Sequence, residues 1–596
     1  MSAPDQLRRL RRAFYRLYYR VKYFPFAAER RAGKDAESAA AQTRGFIVIQ
    51  IDALAHDDLV RALEQGYCPR LKRLIEHDSW EVRRYPAGLP SATPAAQGAI
   101  FYGIKDDIPA FRWYEKQDRR VIVGSRPADV QYVRDRLPQD GILSGGTGYV
   151  NIYDGGSDRS YFTLSAKKRR RFLENIGGGR LFLLTLTHPI RTTRMVLASL
   201  WEYLKEEWNR LVSQARGEAT HYWWYLPFLH IGSNVVLREL QTMAVVLDIY
   251  NGVPSIYTTY NVYDEFAHHF GPESKPAYAS LHALDRRIGE ILKMLRRVPG
   301  RPYDLYILSD HGQTPSVPYR VTYGETLGDT IMGAAEHGVL VMAGTGDYAL
   351  EAQDVMDFLV QELEEVSQTS SMPVRRGGLR LGRWLRRQYN VFPLVAETVR
   401  AEKDEELVVT YSSSLAHVYW TEPARALALE EIRRDPDRRA LYYFLVAHGG
   451  IGLVCTRMVD GAHVESLHGR ALITPEGVVE VLSGADPLPH YAPTIAERRA
   501  LARLVQYNNA GDLVLIGAYD PERDRCVCFD DQVGAHGAIG GRQFWPFIMS
   551  RRGLIPANYA IDDPLDLHLL FRRYQEEPEI DVLEFVAREK RVAAGA

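Results

Sequence analysis

The run Phe46-Ile47-Val48-Ile49-Gln50-Ile51 ends abruptly on Asp52. A stretch this apolar, without alternation of polar and apolar positions, needs cover on both faces, as in the interior of a parallel sheet flanked by helices. The same grammar recurs twice. Ser255 to Tyr263 runs into Asp264, and Asp304 to Ser309 runs into Asp310-His311. Open α/β sheets bind ligands beyond the carboxyl ends of their strands, so three acidic residues far apart in sequence are expected to converge there. The expected fold is therefore α/β, a doubly wound, mostly parallel sheet, and the expected site is a metal site.

At 596 residues the chain exceeds what one hydrophobic core supports, so several units are expected. Changes in composition divide it into a basic amphipathic helix with a linker (1–44), a first part of the α/β core (45–165) and a helical insertion (166–250). A second part of the core (251–347), an inserted mixed α/β lobe (348–500), a closing part of the core (501–562) and a helical C-terminal tail (563–596) follow. In this division Asp512 to Asp520 returns to the core sheet. A net charge of -1 argues against nucleic acid as a partner. The four cysteines include no C-x-x-C pair and are too few for a disulfide scaffold; Cys526 and Cys528 read as thiols on one face of a strand. With no apolar leader core and no uncharged stretch of membrane-spanning length, a cytoplasmic protein is expected, soluble or peripheral at the inner membrane face.

Leu7, Leu10, Phe14, Leu17, Val21 and Phe24 recur at helical spacing, with arginines and Lys22 on the other face. This helix either docks on the protein's own body or lies on anionic lipid, each basic residue near such a surface being worth about 1 kcal/mol. Aromatics such as Trp201, Trp208, Trp223 and Trp224 crowd the helical insertion, as its own core or as a contact surface. Gly145-Gly146 and Gly155-Gly156 read as turns rather than a phosphate cradle, since no Walker lysine accompanies them.

Four further stretches carry chemistry. Pro90-Ser91-Ala92-Thr93 precedes a small-residue helix, so Thr93 has its hydroxyl at a helix N-terminus, where it serves as a cap or faces an anion. Asp264 and His268 are four apart and share a side if a helix begins at the strand end. Asp310 and His311 sit together at a strand exit, and His536 lies in a glycine-rich loop. Jointly these hard and borderline donors suit zinc, with manganese second.

Ile51-Asp52, Pro90-Ser91-Ala92-Thr93 with Gly103, Asp264-Glu265-Phe266-Ala267-His268, Ser309-Asp310-His311-Gly312 and Ala535-His536-Gly537 occur in the order of one known family. On these motifs the chain resembles the alkaline phosphatase superfamily, within it the type I phosphodiesterase/nucleotide pyrophosphatase branch. The resemblance implies two zinc ions, manganese being the alternative, one held by Asp52, Thr93, Asp310 and His311 and the other by Asp264, His268 and His536. It implies a phosphoester hydrolase, phosphodiesterase or nucleotide pyrophosphatase in type, with Thr93 as nucleophile and a phospho-threonine intermediate. Where related diesterases carry an asparagine, this chain has Phe111-Arg112-Trp113, and Arg112 either forks a substrate phosphate or forms an ordinary salt bridge. His268 is preferred to His269 as the ligand because its spacing from Asp264 matches the family. The expected partner is a small phosphoester, with a lipid headgroup possible if residues 7–24 touch a membrane. Two other readings stand beside this one: a phosphotransferase acting on a membrane-associated phosphoester, and a membrane-surface scaffold that keeps the fold without turnover.

Overall fold

The computed structural model describes residues 43–165, 197, 237–297, 300–335, 339–342, 405–577 and 580–595. The basic helix expected over 7–24, nearly all of the 166–250 insertion and the arginine-rich 375–387 stretch lie outside the described residues. No helix among the described residues is long and apolar enough to cross a membrane.

The central sheet has seven strands, ordered Trp80–Arg84, Phe547–Arg551, Tyr303–Leu308, Gly45–Ile51, Ser255–Tyr260, Thr147–Tyr149 and Arg159–Tyr161. Gly45–Ile51 lies in the middle and runs parallel to both neighbours, Ser255–Tyr260 and Tyr303–Leu308. Only Phe547–Arg551 runs against its neighbours on both sides. Every residue of Gly45–Ile51 is buried, as its unbroken apolar character requires. Ile47, Ile49 and Ile51 face one helical layer, which includes His56–Glu64, Arg238–Asn251 and Lys275–Arg297. Phe46 and Val48 face the other, formed by Thr93–Tyr102, Pro127–Arg136 and the helices Pro564–Glu576 and Val582–Gly595. The sheet is thus doubly wound.

The C-terminal helices are a layer of this core rather than a tail. Phe571 stacks on Phe46 of the central strand, with ring centroids 5.3 Å apart, and Tyr574 donates to the buried Asp304 carboxylate at 2.6 Å.

A second sheet of eight strands contains Leu407–Ser412, Leu415–Trp420, Leu513–Gly517, Ile451–Met458 and Gly461–Ser466 side by side. Leu513–Gly517 does not return to the core sheet; it pairs antiparallel with Leu415–Trp420 and Ile451–Met458. Val339–Met342, expected in the core, joins the edge of the same second sheet beside Leu407–Ser412. Both segments are short and apolar, a signal that marks burial without saying in which of two sheets.

A small four-stranded sheet decides the geometry of the site. Thr314–Pro318, just beyond Asp310-His311, pairs with Gly534–Ala535, just before His536, so that Thr314 is opposite Ala535. One ladder therefore brings together residues more than two hundred positions apart.

Candidate metal centre

Asp52 follows the central strand, Asp310 follows Tyr303–Leu308, and Asp264 sits in the first turn of Val262–Phe270, the helix after Ser255–Tyr260. Three adjacent parallel strands thus deliver three carboxylates to one edge. His268 lies one turn beyond Asp264 on the buried side of its helix, Nε2 being 3.3 Å from Asp264 Oδ1, while His269 is exposed. Two groups of potential ligands result, Asp52 with Asp310 and His311, and Asp264 with His268 and His536; within each, the ligand atoms lie within 4.8 Å of one another. The groups are contiguous, because the rings of His311 and His536 stack with centroids 4.2 Å apart.

Thr93 stands beside the first group. Its Oγ1 is 3.3 Å from Asp52 Oδ1 and 3.2 Å from His311 Nε2. Ala92, not Thr93, is the N-cap of Thr93–Tyr102, and no side chain caps that helix. The hydroxyl is therefore turned to the acidic cluster rather than spent on the helix end. Gly103, in left-handed conformation at φ 71°, closes the same helix.

The three imidazoles share one arrangement. Nδ1 of His268, His311 and His536 lies 2.8, 3.0 and 3.0 Å from the carbonyl oxygens of Gly534, Gly312 and Ser91. A carbonyl only accepts, so each Nδ1 carries a proton and Nε2 is the nitrogen turned to the site, the orientation a metal ligand needs. Asp310 Oδ2 is fully buried and has no hydrogen-bond donor among the described residues. A buried carboxylate oxygen without a donor is costly, and a cation between it, Asp52 and His311 would remove the cost. On these two observations the residues fit divalent metal ions.

The electrostatics of the second group are mutual. Burial acts to raise the Asp264 carboxyl, but His268, by charge and hydrogen bond, and then His536 and His311 outweigh it and hold the group low. Burial acts to lower His268, and Asp264 outweighs that and raises it. For His536 burial dominates, His311 and His268 add to it, and the ring is driven well below its usual range.

Several supporting residues escaped the sequence reading. Gln313 Nε2 donates to Asp264 Oδ1 at 2.5 Å. Gln50 Nε2 lies 3.4 Å from Asp52 Oδ1, while its Oε1 accepts from the Tyr257 hydroxyl at 2.7 Å. Gln50 left a trace in the sequence, a polar residue in an apolar strand two positions before Asp52 and hence on the same face. Ser91, two residues before Thr93, bridges to Gly537, tying the Thr93 loop to the His536 loop. Arg112 Nη1 donates to the Tyr411 carbonyl at 3.1 Å and lies 3.8 Å from the Asp530 carboxylate. These contacts brace Arg112 against the second sheet and the Asp530 carboxylate.

The fold and these side chains define a doubly wound α/β scaffold with paired carboxylate and imidazole groups beside a threonine. The family model for type I phosphodiesterase/nucleotide pyrophosphatase matches residues 46–371, more than half of the chain, and the protein belongs to that family. It is a phosphoester hydrolase of the alkaline phosphatase superfamily. Six of the seven site residues fall inside the matched range; His536 lies beyond it. Among solved structures, the chain is similar to phosphonoacetate hydrolase from Sinorhizobium meliloti 1021, at 15% identity over 90% of this chain and 96% of that one, with a TM-score of 0.39. It is also similar to human ectonucleotide pyrophosphatase/phosphodiesterase 5, at 11% identity over 89% and 95%, TM-score 0.42. The murine form of the latter, in complex with AMP, matches at 9% identity over 89% and 94%, TM-score 0.41. A search of curated proteins returned no relative.

Proposed function

We propose that the chain hydrolyses a small phosphoester through a phospho-threonine at Thr93, with two divalent metal ions, one at Asp52, Thr93, Asp310 and His311 and one at Asp264, His268 and His536. The observation that carries this reading is the convergence of two adjoining ligand groups, drawn from positions 52 to 536, with Thr93 beside the first. Mixed carboxylate and imidazole donors favour zinc, with manganese next. When bound, two such ions neutralise phosphate charge, lower the pKa of hydroxyl groups and stabilise a departing oxygen.

The chain's own residues supply the rest. Asp52 Oδ1 accepts from the Thr93 hydroxyl at 3.3 Å, so the proton is directed at that carboxylate and an oxygen lone pair is left for phosphorus. The uncapped N-terminus of Thr93–Tyr102 favours the phosphoryl anion at that position. Thr93 Oγ1 loses its proton and forms a bond to phosphorus, while the ester oxygen leaves with its electron pair and takes up one proton. Water then attacks the phospho-threonine, restoring the threonine and releasing the phosphate product. Gln313 and Gln50 hold Asp264 and Asp52 in place throughout.

The test combines elemental analysis with hydrolysis of nitrophenyl mono- and diesters by wild type and Thr93→Ala. Two metal ions per chain in both proteins, turnover only in wild type and an acid-stable phosphate on Thr93 after quenching are expected. A metal-free active enzyme, or an active Thr93→Ala, refutes the reading. Adding glycerol or ethanolamine separates hydrolysis from transfer, since a transferase yields the phosphorylated alcohol.

A further inference from the structure

His536 is the one site residue delivered by neither the core sheet nor a helix. It follows the two-residue strand Gly534–Ala535, in a loop with glycine on both sides of the Ala535-His536 pair. Its ring is fixed by Ser91, but its backbone is gripped from the second sheet. The strands Leu407–Ser412 and Leu415–Trp420 form a hairpin whose two-residue turn is Ser413-Ser414. Ser413 Oγ accepts from the His536 N–H at 2.9 Å, and Ser414 N and Oγ lie 3.1 and 2.9 Å from the His536 carbonyl oxygen. Both turn residues are buried. Ser413 holds a left-handed φ of 57°, costly for a residue with a Cβ, and its own N–H donates to Asp530 Oδ2 at 2.7 Å. Arg112 lies against that same carboxylate oxygen. A strained turn persists where its surroundings over-determine it, and here it aims a hydroxyl at one peptide N–H.

We infer that the Ser413-Ser414 turn of the inserted lobe, braced by Asp530 and Arg112, is a positioning device for His536, so that the lobe sets the metal affinity of the Asp264–His268–His536 group and leaves the Asp52–Asp310–His311 group untouched. This rests on the two-metal reading above. The asymmetry follows from connectivity: Asp52 and Asp310 leave central strands of the core sheet, whereas His536 has no such anchor. Outer partners of metal ligands typically change affinity by roughly tenfold to a hundredfold.

Ser413→Gly is the telling substitution, because glycine accepts the left-handed φ without strain while removing the hydroxyl. Zinc bound per chain is measured by elemental analysis after dialysis against graded chelator, alongside the thermal midpoint of the chelated protein. The expected result is one zinc retained as in wild type, the second held about tenfold to a hundredfold more weakly, and a thermal midpoint no lower than wild type. Asp530→Ala, which removes the brace and leaves the hydroxyl, should weaken the same ion. Two zinc ions held as tightly in Ser413→Gly as in wild type overturn the inference, as do two ions weakened equally together with a lowered midpoint, which is a structural effect. Wild type that binds no metal sinks the two-metal reading itself, a result distinct from either.

Discussion

Asp310→Asn is expected to raise the stability of the metal-free protein and to lower that of the metal-loaded one. Asp310 is wholly buried, and among the described residues only its Oδ1 has a donor, the Ala53 N–H at 3.4 Å. Oδ2 lies 3.6 Å from His311 Nε2, the nitrogen whose lone pair is exposed because Nδ1 donates to the Gly312 carbonyl. An amide of the same shape keeps Oδ1 and puts an N–H where the orphaned acceptor was, facing that lone pair. An unsatisfied buried acceptor costs about 1–3 kcal/mol, so in chelator the variant should be more stable than wild type by about that amount. On the two-metal proposal, zinc at a thousandfold its Kd would stabilise wild type by about 4.1 kcal/mol per site, and the variant would forfeit that increment at the first site. In zinc the variant should therefore fall below wild type by about 1–3 kcal/mol. Urea unfolding followed by tryptophan fluorescence, with chelator and with zinc, measures both differences. A variant that is less stable than wild type in chelator, or gains as much from zinc, would show that Oδ2 is not held in reserve for a cation.

Thr93→Ala should reduce turnover of nitrophenyl esters by about a thousandfold or more while metal content stays near wild type, as read by steady-state kinetics and elemental analysis. Gln313→Leu removes the donor to Asp264 Oδ1 and should weaken zinc at the second group by about tenfold to a hundredfold, seen in chelator titration. His417 is buried with Nδ1 accepting from the Gly511 N–H and Nε2 donating to the Pro109 carbonyl; burial, only partly offset by that carbonyl, lowers it to about 4. Because the folded value lies below the unfolded one, near 6.5, the unfolded chain takes the proton first. Stability is full above about pH 6.5 and declines towards pH 4, by about 3 kcal/mol at most from this group. His417→Asn, which keeps an acceptor for Gly511, should flatten that decline in unfolding curves taken across this window. Deleting residues 1–28 should abolish binding to vesicles rich in anionic lipid if the basic face over 7–24 is a membrane contact, and unchanged sedimentation with vesicles would dismiss it.

The central strand, its burial on both faces and the carboxylate at its end were legible in the residues, because unbroken apolar runs ending in Asp52 and Asp310 have few other uses in an α/β chain. The turn of helix joining Asp264 to His268 was equally local, and the remaining members of the site came through motif order. What lay outside local pattern was every relation set by pairing across the chain. Whether Leu513–Gly517 enters the first sheet or the second depends on which strand ends reach it, and its apolar residues suit either.

The same holds within the site. Sequence named His536 but gave no reason for its place; the pairing of Ala535 with Thr314 and the grip of Ser413 and Ser414, more than a hundred residues away, supply one. Sequence left Arg112 between a substrate phosphate and a salt bridge; the fold supplies its neighbour, Asp530, from more than four hundred residues away. Periodicity and motif spacing determine what a residue is fit to do, since they follow from backbone geometry and side-chain chemistry. Which groups meet is decided by long-range strand pairing, whose hydrogen bonds join backbones and leave little trace in the side chains alongside.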